Sequence, residues 1–374
     1  MRTTTFRSSA ALAFGLACAL TAGTVTTADA QSPAVTVAAP PASCPTGIGT
    51  TMARVNDYWI AHHANPTDRS WITGAYFTGD LAAAATLGSQ QYSSYAQKWA
   101  TTAKFALAGG GSDTGADDQA AGQTYIELYN ADAAHPATDI AQINQSVLTM
   151  VNRPATDDWW WVDALFMAMP DFAKLGVIKN NTAYFDKMYA LFHNTKQTRG
   201  LWDANKHLWW RDGGYTGKNI YWSRGNGWAL AALARVLDVL PSTDPHRAEY
   251  VQTMQQMAAS LKTAQQSSGF WPVNLGDATQ YPGPETSGTA FFTYGLSWGI
   301  NHGVLDAATY APVVTKAWKA MATTSVQANG SLGYVQGVGS EPGSSQPVTA
   351  GSTAAYGVGG FLLAGNQLAK LCGA

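Results

Sequence analysis

Apolar residues recur three and four positions apart along most of this chain, the spacing that lines one face of an α-helix. The pattern predicts twelve helices, near 48–63, 72–87, 91–106, 117–130, 136–152, 160–175, 180–197, 224–239, 244–266, 287–303, 307–326 and 352–370. Strand-like stretches are confined to 208–211, 269–273 and 333–335, which read as small hairpins in connecting loops. The odd-numbered helices have conventional amphipathic faces with Lys, Gln and Glu. The even-numbered ones carry Gly122, Ala229, Ala231, Ala232, Gly288, Gly295, Gly357, Gly359 and Gly360, small residues that let helices approach closely. Six inner and six outer helices in alternation give an all-α fold, an (α/α)6 toroid whose chain ends lie close together.

The unusual residues fall at the N-terminal ends of the even helices. Asp117-Asp118-Gln119 opens the fourth, Asp157-Asp158-Trp159-Trp160-Trp161-Val162-Asp163 the sixth, Trp222-Ser223-Arg224-Gly225-Asn226-Gly227-Trp228 the eighth and Glu285-Thr286-Ser287 the tenth. In a toroid these ends face one rim, where unpaired amides and the positive helix end favour anions.

Composition narrows the ligand. Charged residues make up 12% of the 374 and the formal charge is -2, so nothing favours nucleic acid or an anionic membrane. The 14 Trp and 16 Tyr supply flat apolar faces with polar edges, which suit sugar rings and interfaces alike. Residues 1–30 have the form of a secretory signal, with Arg2 and Arg7, an apolar run and Ala28-Asp29-Ala30, and 31–47 read as an Ala/Pro-rich tether. Residues 48–374 are then a single catalytic domain. Export, to the periplasm or beyond, leaves Cys44 and Cys372 in an oxidising compartment; a disulfide between them is favoured over two buried thiols and would contribute about 4 kcal/mol, the upper end of the usual range, for so long a loop. The apolar runs are too short to span a bilayer. No metal-ligand spacing, P-loop or nucleophile elbow is present, so neither a metal nor another cofactor is expected.

Asp163 follows three tryptophans and precedes an apolar run, surroundings that raise a carboxyl pKa toward acid/base use, although an Asp at a helix start also serves as a cap or ion-pair partner. Asp117 and Asp118 face the same choice. Arg224, between glycines and tryptophans, suits a substrate carboxylate or a structural ion pair with Asp163 or Asp158. Trp160, Trp161, Trp222, Trp228 and Trp271 are stacking candidates that compete with core packing, and His207 is the rim histidine.

Together, Trp159-Trp160-Trp161-Val162-Asp163-Ala164-Leu165-Phe166-Met167-Ala168, Asp117-Asp118-Gln119-Ala120-Ala121-Gly122-Gln123, Tyr221-Trp222-Ser223-Arg224-Gly225-Asn226-Gly227-Trp228, Glu285-Thr286-Ser287-Gly288-Thr289 and Tyr356-Gly357-Val358-Gly359-Gly360 resemble glycoside hydrolase family 105, in order from about residue 48 to the C-terminus. The resemblance implies an (α/α)6 barrel that releases the 4,5-unsaturated uronic acid from the non-reducing end of lyase-generated oligosaccharides. It maps the catalytic acid to Asp163, the second carboxylate to Asp118 with Asp117 beside it, and uronate binding and stacking to Arg224, Trp222 and Trp228. Two other readings stay open: an inverting glycosidase on a saturated glycan with Asp118 as base, and a non-catalytic glycan-binding protein.

Overall fold

The computed structural model describes residues 44–374. The expected export signal and residues 31–43 of the expected tether lie outside the described residues. In chain order the helices are α1 (Ile48–His62), α2 (Trp71–Leu87), α3 (Gln90–Thr102), α4 (Ala116–Gln119), α5 (Gly122–Ala131), α6 (Ala141–Val151), α7 (Ala164–Lys179) and α8 (Ala183–His193). A two-stranded antiparallel hairpin, β1 (Trp202–Asp203) and β2 (Leu208–Trp209), precedes α9 (Ser223–Leu237), α10 (Arg247–Ala264), α11 (Thr286–Asn301), α12 (Ala307–Ala320) and α13 (Ala355–Cys372). With α4 and α5 sharing the place of the expected fourth helix, this is the (α/α)6 toroid.

Burial separates the two layers. Every residue of α9 is buried, as are the first fifteen of α11 and of α13, because helices enclosed on all sides have no face for water. In α10 only Tyr250, Thr253, Met254, Met257, Ala258 and Leu261 are buried, a single stripe at helical spacing. The inner helices pack in a closed circuit, α2 on α5, α5 on α7, α7 on α9, α9 on α11, α11 on α13 and α13 back on α2. At that last seam a Cβ on Gly79 would lie 2.2 Å from Gly359 O, and one on Gly359 2.3 Å from Ala75 O, so the two backbones touch and only glycine fits. Among the described residues no helix is long and apolar enough to cross a membrane.

Three further expected elements differ, each because of a backbone hydrogen bond to a segment about fifty residues away. The sixth helix starts at Ala164 instead of 160, because Val162 N donates to Arg211 O at 2.8 Å and Trp161 bridges Asp212, which draws the tryptophan run out as extended chain. Segments 269–273 and 333–335 form no ladder. Their carbonyls receive helix N-terminal amides instead, Val273 O from Ser223 N and Tyr334 O from Thr286 N, satisfying donors that an α-helix leaves unpaired. Glu285 completes the start of α11, accepting from Ser287 N and Gly288 N at 2.8 and 2.7 Å.

Cys44 and Cys372 are joined by a disulfide with Cα atoms 5.7 Å apart. It lies at the end of α13 remote from the inner-helix N-termini.

Among the buried acids that oppose stability at neutral pH is one on α2. Asp80 on α2 accepts from Asn56 Nδ2 at 2.7 Å, but its Oδ2 has no partner, and burial pushes its carboxyl up to about 7. The folded chain therefore holds a proton that the unfolded chain has already lost, and stability falls as pH rises from about 4 to about 7. Asp80→Asn is expected to melt higher than the parent at about pH 8, by on the order of a few kcal/mol, and to lose that advantage near pH 4. A melting difference that does not change with pH would rule this out.

Candidate active site

Where the N-termini of the inner helices converge, a cavity of about 140 Å³ is lined by Trp71, Asp117, Trp161, Asp163, Met167, Arg211, Trp222, Arg224, Trp228, Val338 and Gly339. Trp71 is the first residue of α2, Asp117 lies in α4, Asp163 immediately precedes α7, and Arg224 and Trp228 sit in the first turns of α9. The rim expected from the sequence is thus where acids, cations and indoles meet. A larger cleft of about 540 Å³ lies at the opposite ends of the inner helices, but its Glu127 is committed to Lys174 and Arg235, each at 2.5 Å. Chemistry, not size, singles out the smaller cavity.

Asp163 is 7% exposed and caps nothing: its carboxyl makes no hydrogen bond to the helix it precedes, and Oδ1 is buried without a partner. Gly225 leaves the space beside it, since a Cβ there would come within 3.4 Å of Asp163 Oδ1. Arg211 Nε stands 3.5 Å from Oδ2, an ion pair too long for a good hydrogen bond. Burial pushes the Asp163 carboxyl up to about 6, while Arg211 and Arg224 oppose the shift and Asp117 adds to it. An acid so placed carries a proton at mildly acidic pH and has nothing within the protein to give it to.

Of the adjacent pair, Asp117 and not Asp118 enters the cavity. Successive residues on a helix point about 100° apart, so only one can face inward. Asp118 turns back toward Gly115 and feels Asp113, whereas Asp117 feels Arg211; burial raises both, most directly that of the inward Asp117.

Arg224 is 1% exposed and forms no ion pair with Asp163 or Asp158; Asp158 pairs with Arg153 instead. Its Nη1 and Nη2 donate to the carbonyls of Gln336 and Gly337 at 2.6 and 2.8 Å, and its guanidinium carbon lies 4.3 Å from the centre of the Trp222 ring and 4.9 Å from that of Tyr356. Gln336 holds this wall together: its side chain accepts from Trp222 Nε1 at 2.9 Å, and its carbonyl also accepts from Tyr356 OH at 2.6 Å.

The remaining candidates divide. Trp222 and Trp228 line the cavity, Trp228 also packing on Phe166 and Phe291. Trp160 is outside the lining, 49% exposed, with its ring against Trp161 and the Arg211 guanidinium 5.5 Å above it. Trp271 belongs to the core and donates to Leu261 O. His207, the expected rim histidine, is not among the lining residues: it occupies the β1–β2 turn at φ 53° with its ring on Trp202, because a four-residue turn in a short hairpin carries its tip outward. Arg211, Trp71, Met167, Val338 and Gly339 were not singled out from sequence. Only Arg211, beside Asp212 in a tryptophan-rich loop, carried any signal there.

A helical toroid with a buried acid of raised pKa in an indole-walled cavity flanked by two arginines is the arrangement of a carbohydrate-active enzyme. The family model described as Glycosyl Hydrolase Family 88 matches residues 47–372, and the chain belongs to that family, with which the family 105 resemblance agrees. It is a glycoside hydrolase. It is 32% identical over 339 residues to the unsaturated 3S-rhamnoglycuronyl hydrolase of Formosa agariphila, covering 82% of this chain and 85% of that one. Among solved structures, a glycosyl hydrolase family 88 protein from Bacteroides vulgatus superposes with a TM-score of 0.81 at 35% identity, over 87% of this chain and 98% of the other. A protein described as a polysaccharide lyase superposes with a TM-score of 0.80 at 37% identity, over 86% and 96%.

Proposed function

We propose that this glycoside hydrolase removes the 4,5-unsaturated uronic acid from the non-reducing end of acidic oligosaccharides, with Asp163 as the acid that protonates C4 of the enol ether. The carrying observation is the unpartnered Oδ1 of Asp163, buried in the cavity on a carboxyl raised to about 6. Proton transfer from Asp163 to C4 leaves an oxocarbenium ion across C5 and the ring oxygen. Water adds at C5 and returns a proton to the Asp163 carboxylate, now a base. The C5 hemiketal opens, C1 becomes a hemiacetal, and its collapse expels the remaining sugar as an alcohol. Asp117, desolvated in the same cavity, supplies the second carboxylate, which accepts a hydrogen bond from the incoming water. Trp222 and Trp228 give the ring its apolar walls, and Trp160 offers an exposed face to the adjoining sugar. The chemistry needs no fixed separation between two carboxyls, unlike hydrolysis of a saturated glycoside.

The disulfide between Cys44 and Cys372 supports action in an oxidising compartment after export.

Ultraviolet absorbance of the conjugated double bond separates the readings. Incubation with lyase-digested acidic polysaccharides is expected to abolish the band, about one chromophore per bond cleaved. A lyase, the reading favoured by the name of one structural relative, would create the band from undigested polymer. A saturated-glycan hydrolase or a binding protein would leave it unchanged across the whole panel.

A further inference from the structure

We propose that Arg211, and not Arg224, receives the substrate's carboxylate, and that its engagement there leaves Asp163 holding the proton it must donate. The inference rests on the unsaturated-uronate reading above and assigns within it a residue that the motifs do not.

Arg224 is already committed. One N–H of each Nη donates to a backbone carbonyl, at 2.6 and 2.8 Å, which fixes the direction of the fork, and the Trp222 and Tyr356 rings lie 4.3 and 4.9 Å from the guanidinium carbon. Turning it to a ligand would take one of two donors from the Gln336 carbonyl, leave the Gly337 carbonyl without this one, and loosen the wall that carries Val338 and Gly339. Its charge acts through space, while one donor on each Nη holds the protein's own backbone.

Arg211 is the opposite case. Nη1 donates to Asp212 at 2.8 Å, but Nε is buried with no hydrogen-bond acceptor and stands 3.5 Å from Asp163 Oδ2. A buried donor without an acceptor is uncommon in a folded protein and marks a bond that a ligand can complete. The residue is also well aimed. Its carbonyl accepts from Val162 N, so the segment bearing Arg211 is stitched to the chain one residue before the acid. The uronate carboxylate is attached to C5, next to the carbon that Asp163 protonates, so its receptor must stand beside Asp163. Arg211 does, and its guanidinium lies 5.5 Å over the ring of the half-exposed Trp160.

The electrostatic consequence follows from every charged group around the acid. Asp163 faces Asp117 from α4, Arg224 from α9, and Arg211 with Asp212 from the segment after β2; Tyr356 of α13 lies beyond Arg224. In the free enzyme Arg211 favours the ionised form of Asp163. Once a substrate carboxylate pairs with Arg211, that pull is matched by a negative charge a few atoms away, and Asp163 keeps its proton to higher pH in the complex.

Two measurements decide the matter. In the wild-type enzyme the alkaline limb of kcat, which reports the complex, should lie at higher pH than that of kcat/KM, which reports the free enzyme. Arg211→Gln should raise KM for the unsaturated uronate about 10- to 100-fold, the range of one charge-assisted hydrogen bond, and bring the two limbs together. Wild type should show a KM penalty of the same size for the uronamide analogue, to which Arg211→Gln is indifferent. A folded Arg211→Gln with unchanged KM, or coincident limbs in wild type, overturns the proposal. If the variant does not fold, the wild-type profiles alone decide. Should wild type fail to consume the double bond, it is the underlying reaction that fails; should it consume the bond while Arg211→Gln retains its KM, only this assignment falls.

Discussion

Asp163→Asn is expected to lower kcat by about three orders of magnitude while leaving affinity for the unsaturated oligosaccharide nearly intact, because the amide fills the same space but has no proton for C4. The wild-type pH profile carries the same information. Since burial raises the Asp163 carboxyl to about 6, activity should fall as pH rises through that region and the acid ionises, and the residual activity of the Asn variant should have no such limb. Stability moves the other way. The raised value means that ionised Asp163 opposes the folded state above about pH 6, so the variant should melt no lower than wild type at about pH 8. Steady-state rates, calorimetric binding and thermal melts on one preparation test all three. Rates that fall together with melting temperature would mean that Asp163 is a structural residue.

The second large effect concerns the disulfide. Cys44 and Cys372 are separated by 328 positions, so their bond restricts almost the whole described chain in the unfolded state. Reduction, or Cys44→Ser with Cys372→Ser, is expected to lower stability by about 4 kcal/mol and the melting midpoint by about 6 °C. Activity at low temperature should be kept. The bond sits at the far end of α13, about 27 Å along an 18-residue helix from the end that bears Tyr356. An unchanged melt in reductant would show that the unfolded chain is already so compact that the cross-link excludes little.

Much of this was legible in one dimension because the signals were periodic or local. Alternating amphipathic and Gly/Ala-rich helices encode a ring within a ring, and the N-terminal positions of Asp163, Trp222, Arg224 and Trp228 place them at one rim whatever the loops do. What sequence left open turns on rotation or on long-range backbone. Asp117 and Asp118 differ by one helical step, and nothing in their neighbours reveals which faces inward. Trp160 precedes α7 because the partner that pulls it into extended chain, the segment at Arg211 and Asp212, lies some fifty residues on. Val338 and Gly339 reach the cavity only because the backbone just before them is held by Arg224, a contact across more than a hundred residues. The two alternatives posed for Arg224, ligand clamp or ion pair, both missed the carbonyl-bound arrangement, since backbone acceptors leave no mark in a list of side chains.

The seam between α2 and α13, where Gly79 and Gly359 bring two backbones into contact, makes the order of the inner helices cyclic. Each inner helix has a neighbour on either side, and the chain's own entry and exit stand 5.7 Å apart at the cysteine pair. The same hoop could be threaded from a different opening, and its catalytic rim, fed by the starts of α2, α4, α7 and α9, would be reassembled from the same four helices.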